Sequence, residues 1–380
     1  MRDSMKITSV ETLLYFQWLV VKVRTDSGIT GIGQTAYWGW PSALVPIIES
    51  FRDILVGEDP LRVEHHWQRM YRLKPFRGGA LSGAVAAVDI ALWDVAGQAF
   101  GLPIHQLLGG RQRDRVRLHV VIDGDTTEEL LKNAMKAKAD GFTAIKFDAF
   151  PTGVPEHETY TRAVQIVVDR VAAVREAVGW DIDLMLELHR EPGPGEAVVI
   201  ARELEPFRLY FIEDPLMPDS EDSLGEIAQR ISTPIAAGER NYSIHEFREL
   251  LSKSAVRFVR PDVGLSGGIT QCRKIAAVAE SYHAQVSAHN FFSPLLTAAT
   301  VQLYASIPNA ATLEYLMWEE ESPRNEMLVN PIRREGGYMT VPLAPGLGVS
   351  LNEEMIPKHP YRQWDPSGVR LRHDGSVYIR

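Results

Sequence analysis

The sequence has little cysteine, no excess of positive charge and no signal for secretion. Cys272 is the single cysteine among 380 residues, which excludes an internal disulfide framework and favours a structural thiol. The net charge of −9 disfavours nucleic acid or an anionic membrane as a partner, because both need a basic surface. The first ten residues lack the apolar core of a secretory signal, and we find no apolar run of membrane-spanning length. We therefore expect a cytoplasmic protein that acts on a small molecule.

The order of apolar and polar segments divides the chain into three predicted parts. Residues 1–115 begin with strand patterns and continue with helical ones, which is typical of a separate α+β domain. Residues 116–340 alternate apolar strands with helical patterns. Residues 341–380 are short strand-like pieces separated by proline and glycine, and we expect them to pack back on the first part.

Eight strand candidates follow one another in the middle part. They are residues 116–122, 143–147, 182–188, 209–212, 235–237, 256–259, 284–287 and 312–315. Eight such strands with helices between them are the pattern of a (β/α)-barrel of the α/β class. Such a barrel carries its functional groups at the C-terminal ends of the strands.

Three glutamates end three of these strands at a constant interval. Glu187, Glu213 and Glu239 are 26 and then 26 residues apart, so they should converge on one rim of the barrel. Two carboxylates about 4 Å apart repel by roughly 4 kcal/mol at an effective dielectric of about 20. A divalent cation would offset this repulsion, and oxygen ligands suit Mg²⁺, with Mn²⁺ as a substitute. The alternative is a set of rim salt bridges to arginines such as Arg190 or Arg240.

A second constellation follows the sixth and seventh strands. Asp262 and His289 end neighbouring strands and are therefore natural hydrogen-bond partners. A carboxylate that holds one imidazole nitrogen leaves the other for acid or base work near neutral pH. Glu314, on the eighth strand, would bond to groups at the same rim, either as part of the site or as a buried glutamate paired with a neighbour.

Two more charged pairs lie two residues apart at strand ends. His189 follows Glu187, and Asp148 follows Lys146, so the members of each pair should point the same way from their strand. His189 is then a potential base beside a metal ligand. Lys146 would hold a substrate anion, or act as a base if burial and nearby cations lowered its pKa.

The remaining patterns carry less chemistry. Gly264 to Gly268 lacks the spacing of a nucleotide loop and is interpreted as a βα turn, and Gly31-Ile32-Gly33 as hairpin backbone. Trp38 and Arg77 lie in or near loops of the first part, where they either pack in its core or line a pocket over the barrel mouth.

Short motifs spread over nearly the whole chain carry a family resemblance. They are Phe76-Arg77-Gly78-Gly79, Ala91-Leu92-Trp93-Asp94, Leu107-Leu108-Gly109-Gly110, Glu213-Asp214-Pro215, Gly238-Glu239, Gly267-Gly268-Ile269-Thr270 and Pro345-Gly346-Leu347-Gly348. Together they resemble the enolase superfamily, most closely its mandelate racemase group and the galactonate-, gluconate- and mannonate-like acid-sugar dehydratases within it.

The resemblance implies a modified (β/α)7β TIM barrel with an α+β capping domain. It also implies a shared step, the removal of the proton α to a carboxylate with stabilisation of the enediolate by a metal ion. The roles implied for the matched residues are Mg²⁺ ligation by Glu187, Glu213 and Glu239, a dyad of Asp262 and His289, and Glu314 beside the substrate carboxylate.

The second and third strands depart from the commonest family pattern. Mandelate racemase-like members usually carry Lys-x-Lys on the second strand, whereas Asp148 replaces the second lysine here. The third strand instead supplies Glu187-x-His189, which resembles the acid-x-His arrangement of galactonate and mannonate dehydratases, whose histidine is the catalytic base. Glu187 also stands where those relatives commonly have aspartate, and its longer side chain would shift the metal slightly.

These residues lead to the hypothesis of a Mg²⁺-dependent dehydratase of an aldonic or aldaric acid. His189 would take the C2 proton, Lys146 and the metal would hold the carboxylate, and His289 would protonate the departing C3 hydroxyl. The residues expected to bind the rest of the substrate are Asp148, Arg190, Trp38 and Arg77.

Two other functions are compatible with the same residues. Bases on opposite sides of the α-carbon would racemise or epimerise a 2-hydroxy acid. A barrel that kept the fold without turnover would be a binding or regulatory protein, which the intact glutamates and dyad disfavour. We further expect a homo-oligomer, for which the sequence has no specific signal.

Overall fold

The computed structural model describes residues 5–364 and 370–378. The outer ends of the first and last predicted parts, and residues 365–369 of the last part, lie outside these ranges. The strands are β1 (Ile7–Tyr15), β2 (Trp18–Thr25), β3 (Thr30–Gln34), β4 (Arg115–Ile122), β5 (Ala144–Asp148), β6 (Asp183–Glu187), β7 (Phe211–Glu213), β8 (Ile235–Ala237), β9 (Phe258–Val259), β10 (Gln285–Val286), β11 (Leu313–Leu316), β12 (Arg334–Glu335) and β13 (Tyr338–Thr340).

The α-helices are α1 (Val45–Ser50), α2 (Arg52–Leu55), α3 (Val63–Arg72), α4 (Gly79–Phe100), α5 (Ile104–Leu107), α6 (Thr127–Ala139), α7 (Val154–His157), α8 (Tyr160–Val178), α9 (Pro194–Glu203), α10 (Glu221–Ala228), α11 (Ile244–Ser254), α12 (Gly268–Ser281) and α13 (Pro294–Ser306). Short 3-10 helices lie at Pro41–Leu44, Glu205–Phe207, Met317–Glu320, Arg324–Glu326 and Glu353–Met355.

The N-terminal strands form an antiparallel sheet in the order β1-β2-β3, and helix α4 packs directly on β3. The helix approaches this closely because Gly31 and Gly33 have no side chain. A Cβ atom at Gly33 would lie 2.0 Å from the Ala87 carbonyl oxygen, and one at Gly31 would lie 2.1 Å from that of Ala91. The two glycines of β3 are therefore a helix-packing surface as well as hairpin backbone.

Helix α4 corrects one expectation from the sequence. Its 22 residues are long and apolar enough to cross a membrane, although we expected no run of that length. In the structure 78% of its most apolar window is buried inside the protein. This degree of burial is typical of a core helix, so the composition of α4 is weak evidence for a membrane span.

The eight predicted barrel strands are all present and pair in parallel in the order β10-β9-β8-β7-β6-β5-β4, with β11 on the other side of β4. A parallel bridge between Val286 and Ala310 links β10 to the segment before β11. After β11 the chain continues into the 3-10 helix Met317–Glu320 instead of an eighth α-helix. The predicted (β/α)7β modified TIM barrel with an α+β capping region is therefore confirmed.

The segment after the barrel returns to both earlier parts of the chain. Strand β13 pairs antiparallel with β4. Further on, the Leu347 amide donates to Asp94 of α4 (2.8 Å), and Lys22 of β2 forms an ion pair with Glu353 (2.5 Å). These contacts agree with the expected packing of the tail, while the domain divisions at 115 and 340 stay predictions.

Candidate active site

The charged residues of the site lie above an apolar layer inside the barrel. This layer is a cluster distinct from the core between strands and helices, and it consists of Ala144, Met185, Phe211, Ala236 and Phe258. Side chains two residues apart share one face of a strand. The side chains that follow members of this layer by two residues are Lys146, Glu187, Glu213 and Arg260. Strand alternation thus directs these charges toward the barrel interior at its carboxyl end.

The three predicted metal ligands come together. Glu187, Glu213 and Glu239 each offer a carboxylate oxygen, and these oxygens all lie within 4.8 Å of one another. Glu187 and Glu213 are buried, and the Glu239 side chain is 15% exposed. A triad of hard oxygen donors open on one side is the kind of site that suits Mg²⁺.

Three cations surround this triad. Lys146 Nζ lies 2.7 Å from Glu213 and 3.3 Å from Glu187, and Arg190 Nη1 lies 2.7 Å from Glu239. Arg260, which is fully buried, forms an ion pair with the other oxygen of Glu213. The Arg190 contact matches the salt-bridge alternative for Glu239, so the fit of a metal depends on the charge balance of the whole cluster.

That balance favours an added cation. The described cluster joins six carboxylates to three permanent cations, so its formal charge is −3 when every carboxylate is ionised and both histidines are neutral. The carboxylates are Glu187, Glu213, Asp214, Glu239, Asp262 and Glu314. Buried like charges repel strongly unless they are compensated. A divalent cation would offset most of this negative charge, so the donor set fits Mg²⁺.

The electrostatics differ from one glutamate to the next. Burial raises the pKa of Glu213 well above its ordinary value, against the lowering effect of Arg260. Burial also acts to raise the pKa of Glu187, but the charges of His189 and Lys146 outweigh it and lower the value to about 2. The pKa of Glu239 is lowered as well, because Arg190 and then His289 outweigh its burial.

The predicted dyad is formed. His289 Nδ1 lies 2.7 Å from Asp262 Oδ2, while its Nε2 lies 3.7 Å from Glu239 and 4.0 Å from Glu314. Burial lowers the pKa of His289, but the charge of Glu239 and the bond to Asp262 raise it to about 8. The carboxylate therefore orients the ring so that Nε2 faces the glutamate cluster.

His189 reaches the site by a different route from the predicted one. Strand β6 ends at Glu187, and His189 lies in a turn with φ 47°, followed by Arg190 with φ 66°. Strand alternation therefore does not orient His189, and the inference from a shared strand face was wrong at this position. The turn places the His189 amide 2.9 Å from Glu187 Oε1, and its Nδ1 lies 3.2 Å from Asp148 Oδ1.

Both histidines are thus paired with an aspartate. Asp148, which we expected to bind distal hydroxyls, contacts His189 through the same ring nitrogen that Asp262 contacts in His289, at 3.2 Å instead of 2.7 Å and with more exposed side chains. This pairing gives the residue that replaces the family's second lysine a structural connection to the proposed base. A carboxylate in this position fixes the orientation and tautomer of an imidazole.

Arg260 and His119 were not recognised as site residues from the sequence. Glu314 lies 2.5 Å from both Lys146 Nζ and Arg260 Nη2, and Arg260 Nη1 donates to the Ser287 carbonyl (2.8 Å). His119 of β4 lies directly opposite Glu314 of the neighbouring strand β11. Burial lowers the pKa of His119 to about 4. The available signals were a histidine within β4 for His119 and a charged residue directly after β9 for Arg260.

The predicted substrate-binding residues lie at different distances from the glutamates and the dyad. Arg190 is buried against Asp214 and Glu239, so it holds the glutamate cluster in this structure. The Trp38 ring lies 5.9 Å from Phe291, whose ring is 5.0 Å from that of His289. Trp38 is therefore near the dyad.

Arg77 is exposed and stacks 5.7 Å from the Tyr71 ring of α3. Within residues 5–364 and 370–378, no hydrogen bond or ion pair joins it to the barrel. The substrate-binding roles of Arg77, Trp38, Arg190 and Asp148 stay predictions.

The fold and this site define a class of protein, and comparison with known families agrees with it. Residues 2–109 match the N-terminal domain of the mandelate racemase and muconate lactonizing enzymes, and residues 129–355 match the enolase C-terminal domain-like family. The chain belongs to the mandelate racemase group of the enolase superfamily.

Full-length relatives carry the name D-galactonate dehydratase. The protein of that name from Ralstonia pickettii is 35% identical over 98% of this chain and 99% of its own length. The one from Pectobacterium atrosepticum is 35% identical over 93% of this chain and 94% of its own length.

Solved structures include an enolase of Agrobacterium radiobacter, a proposed galactarate dehydratase bound to sodium and L-malate. It has a TM-score of 0.94 and 28% identity, and the match covers 99% of this chain and 100% of that one. The 3,6-anhydro-D-galactonate cycloisomerase of Zobellia galactanivorans has a TM-score of 0.85 and 28% identity, covering 94% of this chain and 100% of that one.

Proposed function

We propose that this protein is a Mg²⁺-dependent acid-sugar dehydratase that converts an aldonic or aldaric acid into a 2-keto-3-deoxy acid. The observation that carries the proposal is the pair of carboxylate-bound histidines, His189 and His289, beside three convergent glutamates. The full-length relatives named D-galactonate dehydratase support hydro-lyase chemistry and make D-galactonate the first substrate to test.

The two histidines divide the proton transfers. Nδ1 of His189 lies against Asp148, so its Nε2 is the atom that would take the proton from C2 of the substrate. Nδ1 of His289 lies against Asp262, so its Nε2 would give a proton to the C3 hydroxyl. The C2–H and C3–O bonds break, water leaves, and the resulting enol becomes the 2-keto acid. Positioned acid or base groups of this kind typically contribute about 10²- to 10⁴-fold.

Other groups of the barrel would bind the carboxylate end of the substrate. When bound to Glu187, Glu213 and Glu239, Mg²⁺ supplies positive charge against the substrate carboxylate as negative charge develops there. Lys146 is surrounded by glutamates at 2.5–3.3 Å, which favours its ammonium form and a role in charge stabilisation instead of proton removal. Arg260 holds Glu213 and Glu314 in place.

A racemase or epimerase is the second candidate, because the same two histidines could act on opposite faces of an α-carbon. Incubation in D₂O separates the two functions. Elimination gives a keto acid that reacts with semicarbazide, whereas epimerisation gives α-deuterated acid without a keto product.

The test is a screen of sugar acids with Mg²⁺, beginning with D-galactonate and its diastereomers, followed by two matched variants. His289→Asn should retain α-deuterium exchange and lose dehydration, whereas His189→Asn should lose both. A fall of about 10²- to 10⁴-fold is expected for the affected step. Dehydration by both variants at the wild-type rate would refute the assignment, and no keto product from any acid would refute the function.

The metal is tested separately from turnover. Isothermal titration of the metal-free protein with Mg²⁺ should show one site, and Glu239→Gln should weaken binding because it removes one of three charged ligands. We also propose that the protein works in the cytoplasm and as a homo-oligomer; sedimentation of the full chain tests the second point.

A further inference from the structure

The last described segment, residues 370–378, contacts two loops of the barrel, and Arg370 contacts both of them. Arg370 Nη1 lies 2.7 Å from Glu156 Oε1, and its Nη2 lies 2.5 Å from Glu191 Oε1. The two glutamate side chains are only 3% and 5% exposed. Arg370 is therefore a bridge between two buried carboxylates that are 35 residues apart in the sequence.

Both carboxylates belong to loops that carry the proposed base and its partner. Glu156 lies in α7, in the connection after β5, the strand that ends at Asp148. Glu191 follows His189 by two residues, and its carbonyl oxygen accepts a hydrogen bond from the Tyr378 hydroxyl (3.2 Å). The segment thus holds Glu191 by its side chain and by its backbone.

The backbone at this point needs such support. His189 and Arg190 both have a positive φ, 47° and 66°, a conformation that L-residues adopt only when their surroundings hold it. The contact between His189 and Asp148 also joins the two loops that Arg370 bridges. A change in the separation of the loops would therefore change the geometry of the base.

The same end of the chain contacts the loop of the other histidine. The Trp364 ring lies 5.7 Å from Phe291, and the Phe291 ring lies 5.0 Å from that of His289. Residues near the C-terminus therefore reach the surroundings of both proposed acid and base groups.

We propose that Arg370 is a positioning residue for catalysis, which fixes the loops of His189 and Asp148 by neutralising Glu156 and Glu191. The proposal rests on the proposed function for its effect on turnover. Without the guanidinium, two buried carboxylates would lose the cation that they share, and a loss of compensation for buried charge is unfavourable. The loops would open to hydrate them, and His189 would move away from the position in which it meets the substrate.

The experiment compares Arg370→Gln with Arg372→Gln in the full-length chain with Mg²⁺. Arg372 is a close control, because it lies in the same segment, also stacks on Tyr378, and donates to the Val377 carbonyl instead of to a barrel loop. We expect kcat of Arg370→Gln to fall about 10- to 100-fold, the loss typical of a small displacement of a reacting group, with KM within about threefold of wild type. Arg372→Gln should match wild type.

Two further measurements separate positioning from general stability. Hydrogen exchange should become faster in the peptide spanning residues 187–192 of Arg370→Gln only, and this readout needs no substrate. Arg370→Lys should recover part of kcat, because lysine keeps the charge without the two-pronged geometry. If the Arg370→Gln protein does not fold, Arg370→Lys takes its place in both measurements.

The outcomes distinguish the proposal from the function on which it rests. Equal kcat and equal exchange in the Arg370→Gln and Arg372→Gln proteins would overturn the positioning role, and so would a change in KM alone. If the wild type dehydrates no sugar acid, the proposed function fails. Faster exchange in Arg370→Gln would then still support the bridge, and unchanged exchange would refute it.

Discussion

The buried guanidinium of Arg260 offers the strongest single test of how the glutamate cluster is held together. Arg260→Met keeps an unbranched side chain and removes the charge that contacts Glu213 and Glu314. In the absence of metal, the formal charge of the glutamate cluster would change from −3 to −4. Removing one partner of a buried ion pair costs about 3–5 kcal/mol, because the remaining charge is left without compensation.

The expected result is a loss of stability of that size in metal-free buffer, measured by urea unfolding. Mg²⁺ should restore more stability to the variant than to the wild type, because removal of the guanidinium leaves a more negative site. A ligand present at 100 times its dissociation constant stabilises the native state by about 2.7 kcal/mol. Lys22→Met is the matched control, since the Glu353 partner of Lys22 is 61% exposed and can be hydrated.

An Arg260→Met protein as stable as wild type without metal would refute this reasoning. So would an equal gain from Mg²⁺ in both proteins, which would indicate that Arg260 and the metal do not compensate the same charges. If Lys22→Met lost as much stability as Arg260→Met, the loss would be a general effect of removing a cation.

Two further predictions concern the interior of the first part of the chain. Burial raises the pKa of Asp89 to about 7 from an ordinary 3.8, so the native state binds the proton more tightly than the unfolded state. Its stability contribution should therefore fall by about 3 kcal/mol as the pH rises from 4 to 7. Asp89→Asn should lack that slope in thermal midpoints measured against pH, and an identical slope would contradict the assignment. Gly33→Ala should destabilise by about 1–3 kcal/mol in urea unfolding, because its Cβ meets the Ala87 carbonyl. Gly195→Ala, with nothing within 4 Å, should change little, and equal effects of the two would rule out the packing argument.

Much of the barrel could be predicted because parallel strands buried on both faces read as apolar runs. All eight runs form strands, and Glu187 and Glu213 lie at the carboxyl ends of two of them. Alternation along these strands also accounts for the direction of Lys146, since its neighbour two residues earlier, Ala144, faces the barrel interior.

The inference failed where the chain leaves the strand. His189 is placed by two residues in the left-handed region after β6, and no pattern of alternating residues contains that turn. Arg260 was passed over because its partners, Glu213 and Glu314, are 47 and 54 residues away in the sequence. The contacts of Arg370 depend in the same way on loops that meet only in the folded chain.

The sequence by itself determined the α/β class, the order of the barrel strands and the glutamates that converge at their ends. It could do so because strand periodicity is local and the barrel brings all carboxyl ends to one rim. Only the tertiary structure decided which cation meets which carboxylate, that Asp148 partners His189, and that residues near the C-terminus reach both loops. Coulombic pairing depends on distances of a few ångströms between distant residues, and those distances exist only after the strands have closed into a barrel.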